Sequence, residues 1–319
     1  MHAASLDDIR QALDRIRPFV HRTPVMTCRT MDALSGRSLH FKCESMQRTG
    51  SFKLRGATNA VLRLPDDHAA RGVVTHSSGN HGQALALAAR LRGIPCTVVM
   101  PHDSARVKKD AVRSHGATIV ECEPNAAARA AAAERVVADT GATLIPPFDH
   151  PHIIAGQGTV AIEFLEQCPD LAAVIVPIGG GGLISGIAIA MKALRPDLRV
   201  IAAEPLNAGD AAIAKRTGRI EPVPPTRTIA DGLRTPLGTL TFPVVRDLVD
   251  EVITVTEDEI VAAMRLVWER MKLVIEPSSA VGVAVAVQEG FHARDPVPTG
   301  IVLCGGNVDL DALPWMRGT

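Results

Sequence analysis

The sequence predicts an α/β protein of two lobes, each built on a parallel sheet. Its 319 residues exceed the usual single domain of roughly 150 and leave room for two. Between Gly72 and about Phe148, short apolar stretches alternate with helix-length segments, the pattern of strands covered by helices on both faces. A second alternating series runs from Gly156 onward.

The elements follow in order. Ser5, with Asp8 three residues on, reads as a helix N-cap, and Leu6, Ile9, Leu13 and Ile16 recur at helical spacing until Pro18 closes the run. A strand follows around Ser38–Lys42. In the first series the strands are Gly72–His76, Pro95–Met100, Ala117–Glu121 and Thr143–Ile145. Gly82–Arg92, Ser104–His115 and the alanine-rich Ala126–Asp139 are the helices between them. The second series holds strand Ala172–Pro177, a glycine loop, helix Leu183–Leu194 and strand Arg199–Ala203. Helix Glu257–Lys272 is capped by Thr256 with Glu259 reaching back; helix Ser278–Gln288 and strand Thr299–Leu303 come after it. Pro-rich Glu221–Pro225 reads as a surface loop. With two such lobes, the cleft between them is the default site.

Composition narrows the function classes. Basic and acidic residues number 34 each, so the formal charge is zero, which argues against nucleic acid or an anionic membrane as the main partner. Apolar residues make up 46 %, but aromatics only 3 %, with no tyrosine, so the core is aliphatic and single-strand base stacking is disfavoured. Six cysteines without a Cys-x-x-Cys pair, behind an N-terminus that lacks a signal-peptide layout, point to free thiols in a reducing cytoplasm. Leu171–Met191 carries no charge over 21 positions, but Pro177 and four consecutive glycines break it, so it reads as strand, loop and helix rather than a membrane span.

Four segments carry chemistry. In TGSFKLRGA, Lys53 lies between Phe52 and Leu54, and an amine in an apolar shell loses its proton readily, as a Schiff-base lysine must. A surface lysine that begins a helix explains the same residues. In THSSGNHGQALA, serines and a glycine turn the chain into a helix whose N-terminus suits a carboxylate, with Asn80 as a further donor; an ordinary capped helix start is the alternative. In VPIGGGGLISG, the glycines let a backbone approach a phosphate at a helix N-terminus. The match to a dinucleotide fingerprint is imperfect, yet Glu204 at the end of the next strand keeps a ribose, and so a nicotinamide cofactor, open. In IVLCGGNVDL, Cys304 tips a strand where open sheets bind ligands; a neutral thiol there can hydrogen-bond a ring nitrogen, or simply fill space as a buried hydrophobe.

In this order, SFKLRGA, HSSGNHGQA, IAGQGT, the tetraglycine loop, VTEDEI, LVWERMKLVIEP and CGGNVD resemble the fold-type II pyridoxal-phosphate enzymes, and within them the serine/threonine dehydratase and serine racemase group. The resemblance covers nearly the whole chain and outweighs the alternatives for single segments. It implies a two-lobed, tryptophan synthase β-like fold, with 1–71 and 150–319 as a discontinuous large cofactor-binding domain and 72–149 as a small one. It implies that Lys53 carries the cofactor as a Schiff base, that Phe52 packs beside it and that Asn80 bonds its ring hydroxyl. Gly179, Gly180, Gly181, Gly182 and Leu183 would hold the phosphate. Cys304 would face the pyridine nitrogen as a neutral partner, which suits prompt elimination.

The implied activity is a serine/threonine ammonia-lyase acting by α,β-elimination on β-hydroxy amino acids, giving keto acid and ammonia. Ser77, Ser78, Asn80 and His81 would hold the substrate carboxylate while Lys53 removes the α-proton. Ser78 stands where racemases place the second acid/base, so serine racemisation can accompany elimination. Arg129 matches an arginine that contacts a distal carboxylate, which leaves 3-hydroxyaspartate open as a substrate; Thr235 sits near the substrate side chain. Glu204, Ala208 and Asp210 match a divalent-metal site of the racemase-like members, for Mg²⁺ (or Mn²⁺ or Ca²⁺), in competition with the ribose reading and with two solvated acids. A homodimer is the family expectation, and the nucleotide site of animal serine racemases has no clear match around Cys28–Thr30. From another class, a nicotinamide-dependent oxidoreductase or a silent amino-acid-binding module remains the alternative.

Overall fold

The computed structural model describes residues 2–77, 79–104, 106–221, 227–292 and 296–316. Its ten described strands are β1 (Val25–Met26), β2 (Leu39–Cys43), β3 (Val73–Thr75), β4 (Cys96–Pro101), β5 (Thr118–Cys122), β6 (Thr143–Leu144), β7 (Ala173–Pro177), β8 (Arg199–Pro205), β9 (Glu251–Val255) and β10 (Thr299–Leu303). They form a six-stranded sheet in the order β1-β2-β10-β7-β8-β9 and a four-stranded sheet in the order β5-β4-β3-β6. Every pairing is parallel except that of the short edge strand β1 with β2. The α/β reading therefore holds, as two parallel-sheet lobes.

The last strand is central. β10 lies between β2 and β7, with Leu303 opposite Cys43 and Ile301 opposite Ile175. This topology brings the ends of β2, β10 and β7 to one edge of the sheet, where the chain order switches and ligands bind in such folds. β7 and β10 are buried throughout, so both faces must be apolar. Val174, Val176 and Val302 face one core, while Ala173, Ile175, Ile301 and Leu303 face the other against helix Pro277–Val287.

Helices close on one another through glycine. Helix Pro151–Gln167 contains the IAGQGT motif and touches both helix Lys53–Leu62 and helix Gly182–Leu194. A Cβ on Gly156 would stand 2.6 Å from the Gly56 Cα, and one on Gly186 would stand 2.3 Å from the Ile154 carbonyl oxygen. That motif is thus a spacer, which seats the lysine-bearing helix and the glycine-loop helix on a common support.

A buried ion cluster fixes the same helix from below. Arg55 donates to Glu44 and Glu163, and Lys42 donates to Glu163, all at 2.8 Å, with two cations facing two anions. The pairing holds the Glu163 carboxyl below its ordinary range despite burial, while desolvation lowers Lys42.

Several boundaries differ from the expected ones for local reasons. The helix expected from Gly82 starts at Asn80, because Gly79 rather than a serine precedes its first turn. Helix Glu257–Met271 stops one residue early, where Lys272 takes the left-handed conformation at φ 59°. Leu171–Met191 folds as β7, glycine loop and helix, and no helix among the described residues is long and apolar enough to cross a membrane. Most of the Pro-rich segment, 222–226, lies outside the described residues.

Candidate active site

A cavity of about 720 Å³ opens between the carboxyl edges of the two sheets. That size suits a cofactor-plus-substrate site. Lys53 begins helix Lys53–Leu62 and enters the cavity, with its start tied to the large sheet because the Phe52 N–H donates to the Cys304 carbonyl at 3.0 Å. The Lys53 Nζ donates to the Pro147 carbonyl at 2.7 Å and lies 5.1 Å from the Phe52 ring centre. Burial pulls its ammonium down to about 8, against the opposing charge of Glu276. An amine poised there is available both as a nucleophile and as a proton acceptor.

Gly179–Gly182 lead into helix Gly182–Leu194 and line the cavity with Leu183. No side chain fits there: a Cβ on Gly180 would lie 2.5 Å from the Phe148 ring, and Gly181 has φ +85°. The Thr241 hydroxyl donates to the Gly180 carbonyl at 2.8 Å, and Asp149 accepts from the Leu240 and Thr241 amides at 2.9 and 3.2 Å. The loop is therefore a preformed backbone cradle at a helix N-terminus, as a phosphate requires.

Cys304 sits at the tip of β10 on the cavity wall, buried, with its thiol pushed up to about 12 by desolvation. It is neutral. Its Sγ lies 3.4 Å from the Ser279 hydroxyl, whose own hydrogen goes to the Gly305 carbonyl at 2.6 Å, so the thiol is the donor of that pair.

The remaining expected residues divide. Ser77, Asn80, Arg129 and Thr235 line the same cavity, whereas Ser78 lies outside the described residues. Arg129 stands on helix Ala126–Thr140 with its Nε buried and without a hydrogen-bond partner. His81 also lines the cavity, but its ring N–H is committed elsewhere. Its Nε2 lies 3.0 Å from the Ile145 carbonyl, and burial pulls its pKa down to about 3. The ring is a neutral Nε2–H tautomer with Nδ1 unpartnered, so only the His81 backbone amide remains to meet an anion.

Glu204, Ala208 and Asp210 lie off the cavity. Glu204 accepts from the Ala211 and Ala212 amides at 2.7 and 2.9 Å, and Asp210 accepts from the Leu237 amide at 3.0 Å. Glu204 therefore does not reach a ligand in the cleft, which removes it as a ribose partner. Burial raises both carboxyls, Glu204 to about 8 with the nearby Asp210 charge adding to the effect. Both carboxyls are held by backbone amides, and no third acidic, His or Cys ligand joins them among the described residues.

Sequence reading missed several lining groups. Glu276, Asn307 and the turn Asp231–Leu233 all face the cavity. Glu276 is 4 % exposed and is raised by burial to about 7. The Asn80 amide donates to it at 2.9 Å across 196 positions of chain, a pairing no local pattern encodes. Its signal in sequence was a lone acid between Ile275 and Pro277, at the end of the LVWERMKLVIEP motif. Lys108 of helix Arg106–Ser114 and Asp231 form an ion pair of 2.9 Å across the cleft.

Comparison with known proteins agrees with this geometry. The family model described as "Pyridoxal-phosphate dependent enzyme" matches residues 16–305. Serine racemase from Arabidopsis thaliana is 50 % identical over 316 residues, 98 % of this chain and 96 % of that one. The solved structure of maize serine racemase superposes with a TM-score of 0.96 at 48 % identity, covering 99 % of this chain and 97 % of that one. A solved threonine deaminase, from T.th., superposes with a TM-score of 0.91 at 43 % identity, covering 96 % of this chain and 99 % of that one. With the glycine cradle, the depressed lysine and the neutral cysteine gathered in one cavity of a fold-type II architecture, the chain belongs to the family of pyridoxal-phosphate dependent enzymes.

Proposed function

We propose that this protein acts on serine and related β-hydroxy amino acids, racemising serine and eliminating water to give a keto acid and ammonia. The observation that carries the reading is the Lys53 amine, drawn to about 8 inside a cavity whose other walls are the glycine cradle and the neutral Cys304. Similarity to serine racemases over nearly the full chain supports serine, and similarity to a threonine deaminase supports elimination. Pyridoxal phosphate, when bound, supplies an aldehyde that captures the substrate amine and a ring that withdraws electrons from the α-carbon.

The chain's own residues supply the rest. Gly179 to Gly182 and Leu183 would hold the phosphate, Phe52 would pack beside the ring, Asn80 would meet its hydroxyl and Cys304 its nitrogen. Lys53 takes the α-proton from one face. Ser78 serves as the acid/base on the other face, which is what racemisation requires beyond elimination. Ser77, Asn80 and the His81 amide hold the substrate carboxylate at the helix N-terminus. Arg129, with its buried orphan Nε, favours a second reading in which 3-hydroxyaspartate is also eliminated. Glu204, Asp210 and the Ala208 carbonyl would bind Mg²⁺, or Mn²⁺ or Ca²⁺ in its place. We infer a cytoplasmic homodimer with 72–149 as its small lobe.

Keto-acid release and chiral product analysis with L-serine, D-serine, L-threonine and both 3-hydroxyaspartate diastereomers, with and without Mg²⁺, test this. Interconversion of the serine enantiomers together with pyruvate release is expected, and both vanish in Lys53→Ala. Absence of both from the cofactor-loaded protein would sink the assignment, and activity and stability unchanged by a chelator would sink the metal.

A further inference from the structure

Glu276 is buried beside Lys53, Cys304 and Asn80, and the reaction described so far does not use it. Its hydrogen bonds run in one direction only. The Asn307 Nδ2 donates to the Thr49 carbonyl and to the Asn80 Oδ1, each at 2.8 Å. With its oxygen so occupied, Asn80 must present its Nδ2 to Glu276, at 2.9 Å from Oε1 and 3.1 Å from Oε2. The Asn307 backbone N–H donates to the Glu276 Oε2 at 3.2 Å. Both ends of the chain are backbone groups, a carbonyl at Thr49 and an amide at Asn307, whose donor and acceptor senses cannot invert.

An ionised Glu276 accepts from both donors with both oxygens. A proton on its Oε2 would set donor against the Asn307 N–H, and one on its Oε1 weakens the shorter Asn80 contact and leaves Oε2 to accept from both. Turning the Asn80 amide over would set its Nδ2 against the Nδ2 of Asn307, so the sense of the amide is fixed from the Thr49 end. Gly305 leaves the room in which the carboxyl sits, since a Cβ there would lie 2.6 Å from Oε1.

We propose that Glu276 is a positioning residue, whose carboxylate anchors the Asn80 amide, in the sense that Asn307 sets, against the cofactor ring and substrate. The proposal rests on the pyridoxal-phosphate reading of this cavity. Lys53 from the lysine helix, the Cys304 thiol, Asp231 from the large-lobe turn and Lys108 from the small lobe are the titratable groups facing it. Burial and Asp231 raise the carboxyl, to about 7, while the Asn80 and Asn307 bonds and Lys108 oppose them. The form of Glu276 that accepts most strongly from both donors therefore gains population as pH rises through about 7.

The test pairs kinetics with a readout that needs no turnover. In the cofactor-free protein, the Glu276 carboxyl carbon resonance, assigned by its loss in Glu276→Gln, should titrate near 7. The Asn80 side-chain amide resonances should move with the same midpoint. In the loaded enzyme, kcat/KM for L-serine should rise through an acid limb at that pH. Glu276→Gln, which cannot accept from both donors without offering one, should lose the limb and fall by about tenfold to a hundredfold at about pH 9. Glu276→Asp should restore a limb. A carboxyl ionised throughout, an Asn80 amide that ignores its titration, or a Glu276→Gln enzyme with the unaltered pH profile each overturns the proposal. If the unsubstituted protein fails to turn over amino acids, the functional reading falls, and the resonances of the cofactor-free protein still decide the role of Glu276.

Discussion

His81 shows how burial can reverse the meaning of a residue. A histidine beside a helix N-terminus in a carboxylate-binding segment invites assignment as a cation. In the fold its ring is 1 % exposed, commits its N–H to the Ile145 carbonyl and is held neutral, with a pKa of about 3. The unfolded chain binds this proton from about pH 6.5 downward while the folded one does not, so the contribution to stability is present above 6.5 and is lost as pH falls toward 3. One proton amounts to at most about 1.4 kcal/mol per pH unit. Urea unfolding between those limits should therefore show a shallower acid slope in His81→Asn than in the unsubstituted protein; equal slopes would contradict the neutral assignment. Lys53 differs: its amine is buried as its motif suggested, but among the Pro147 carbonyl, Glu276 and the Phe52 ring rather than in a shell of its apolar sequence neighbours.

At the scale of elements, the decisive geometry is a stack of three helices rather than any one of them. Gly156 and Gly186 are points of backbone contact on that stack, which places Lys53 and the phosphate cradle at a set separation. Gly186→Ala would push a methyl to 2.3 Å from the Ile154 carbonyl and 2.4 Å from the Gly158 nitrogen, neither of which can rotate away. A loss of about 3 kcal/mol by urea unfolding is expected. Gly290→Ala, with nothing within 4 Å of its added methyl, is the control and should leave stability unchanged. Eight of the ten described strands and the longer amphipathic or alanine-rich helices could be read from sequence to within a few residues, while β1, β9 and helix Thr241–Leu248 were not read. Helix Pro151–Gln167 could not, because burial on nearly every side erases the periodicity that marks a helix.

For the whole molecule, the cleft joins two sheets that share no strand pairing, and a few polar contacts cross it. The Lys108–Asp231 pair is one, with side chains 34 % and 48 % exposed, so solvent and salt screen it. Asp231→Asn is expected to change stability little, to raise KM severalfold and to remove most of the salt dependence of KM. An unaltered salt dependence would show that the pair does not gate the cleft.

The sequence by itself determined the α/β alternation and the glycine loop from local pattern, and singled out Lys53 and Cys304 only through the order of several motifs, because each of those segments alone also fits an ordinary surface lysine or a buried thiol. Placement of β10 in the middle of the sheet, the neutral ring of His81, the position of Glu204 off the cleft and the Thr49–Asn307–Asn80–Glu276 chain were decided only by tertiary structure. Those depend on residues up to 258 positions apart, brought together by packing and by the directionality of buried hydrogen bonds, and no local periodicity carries that information.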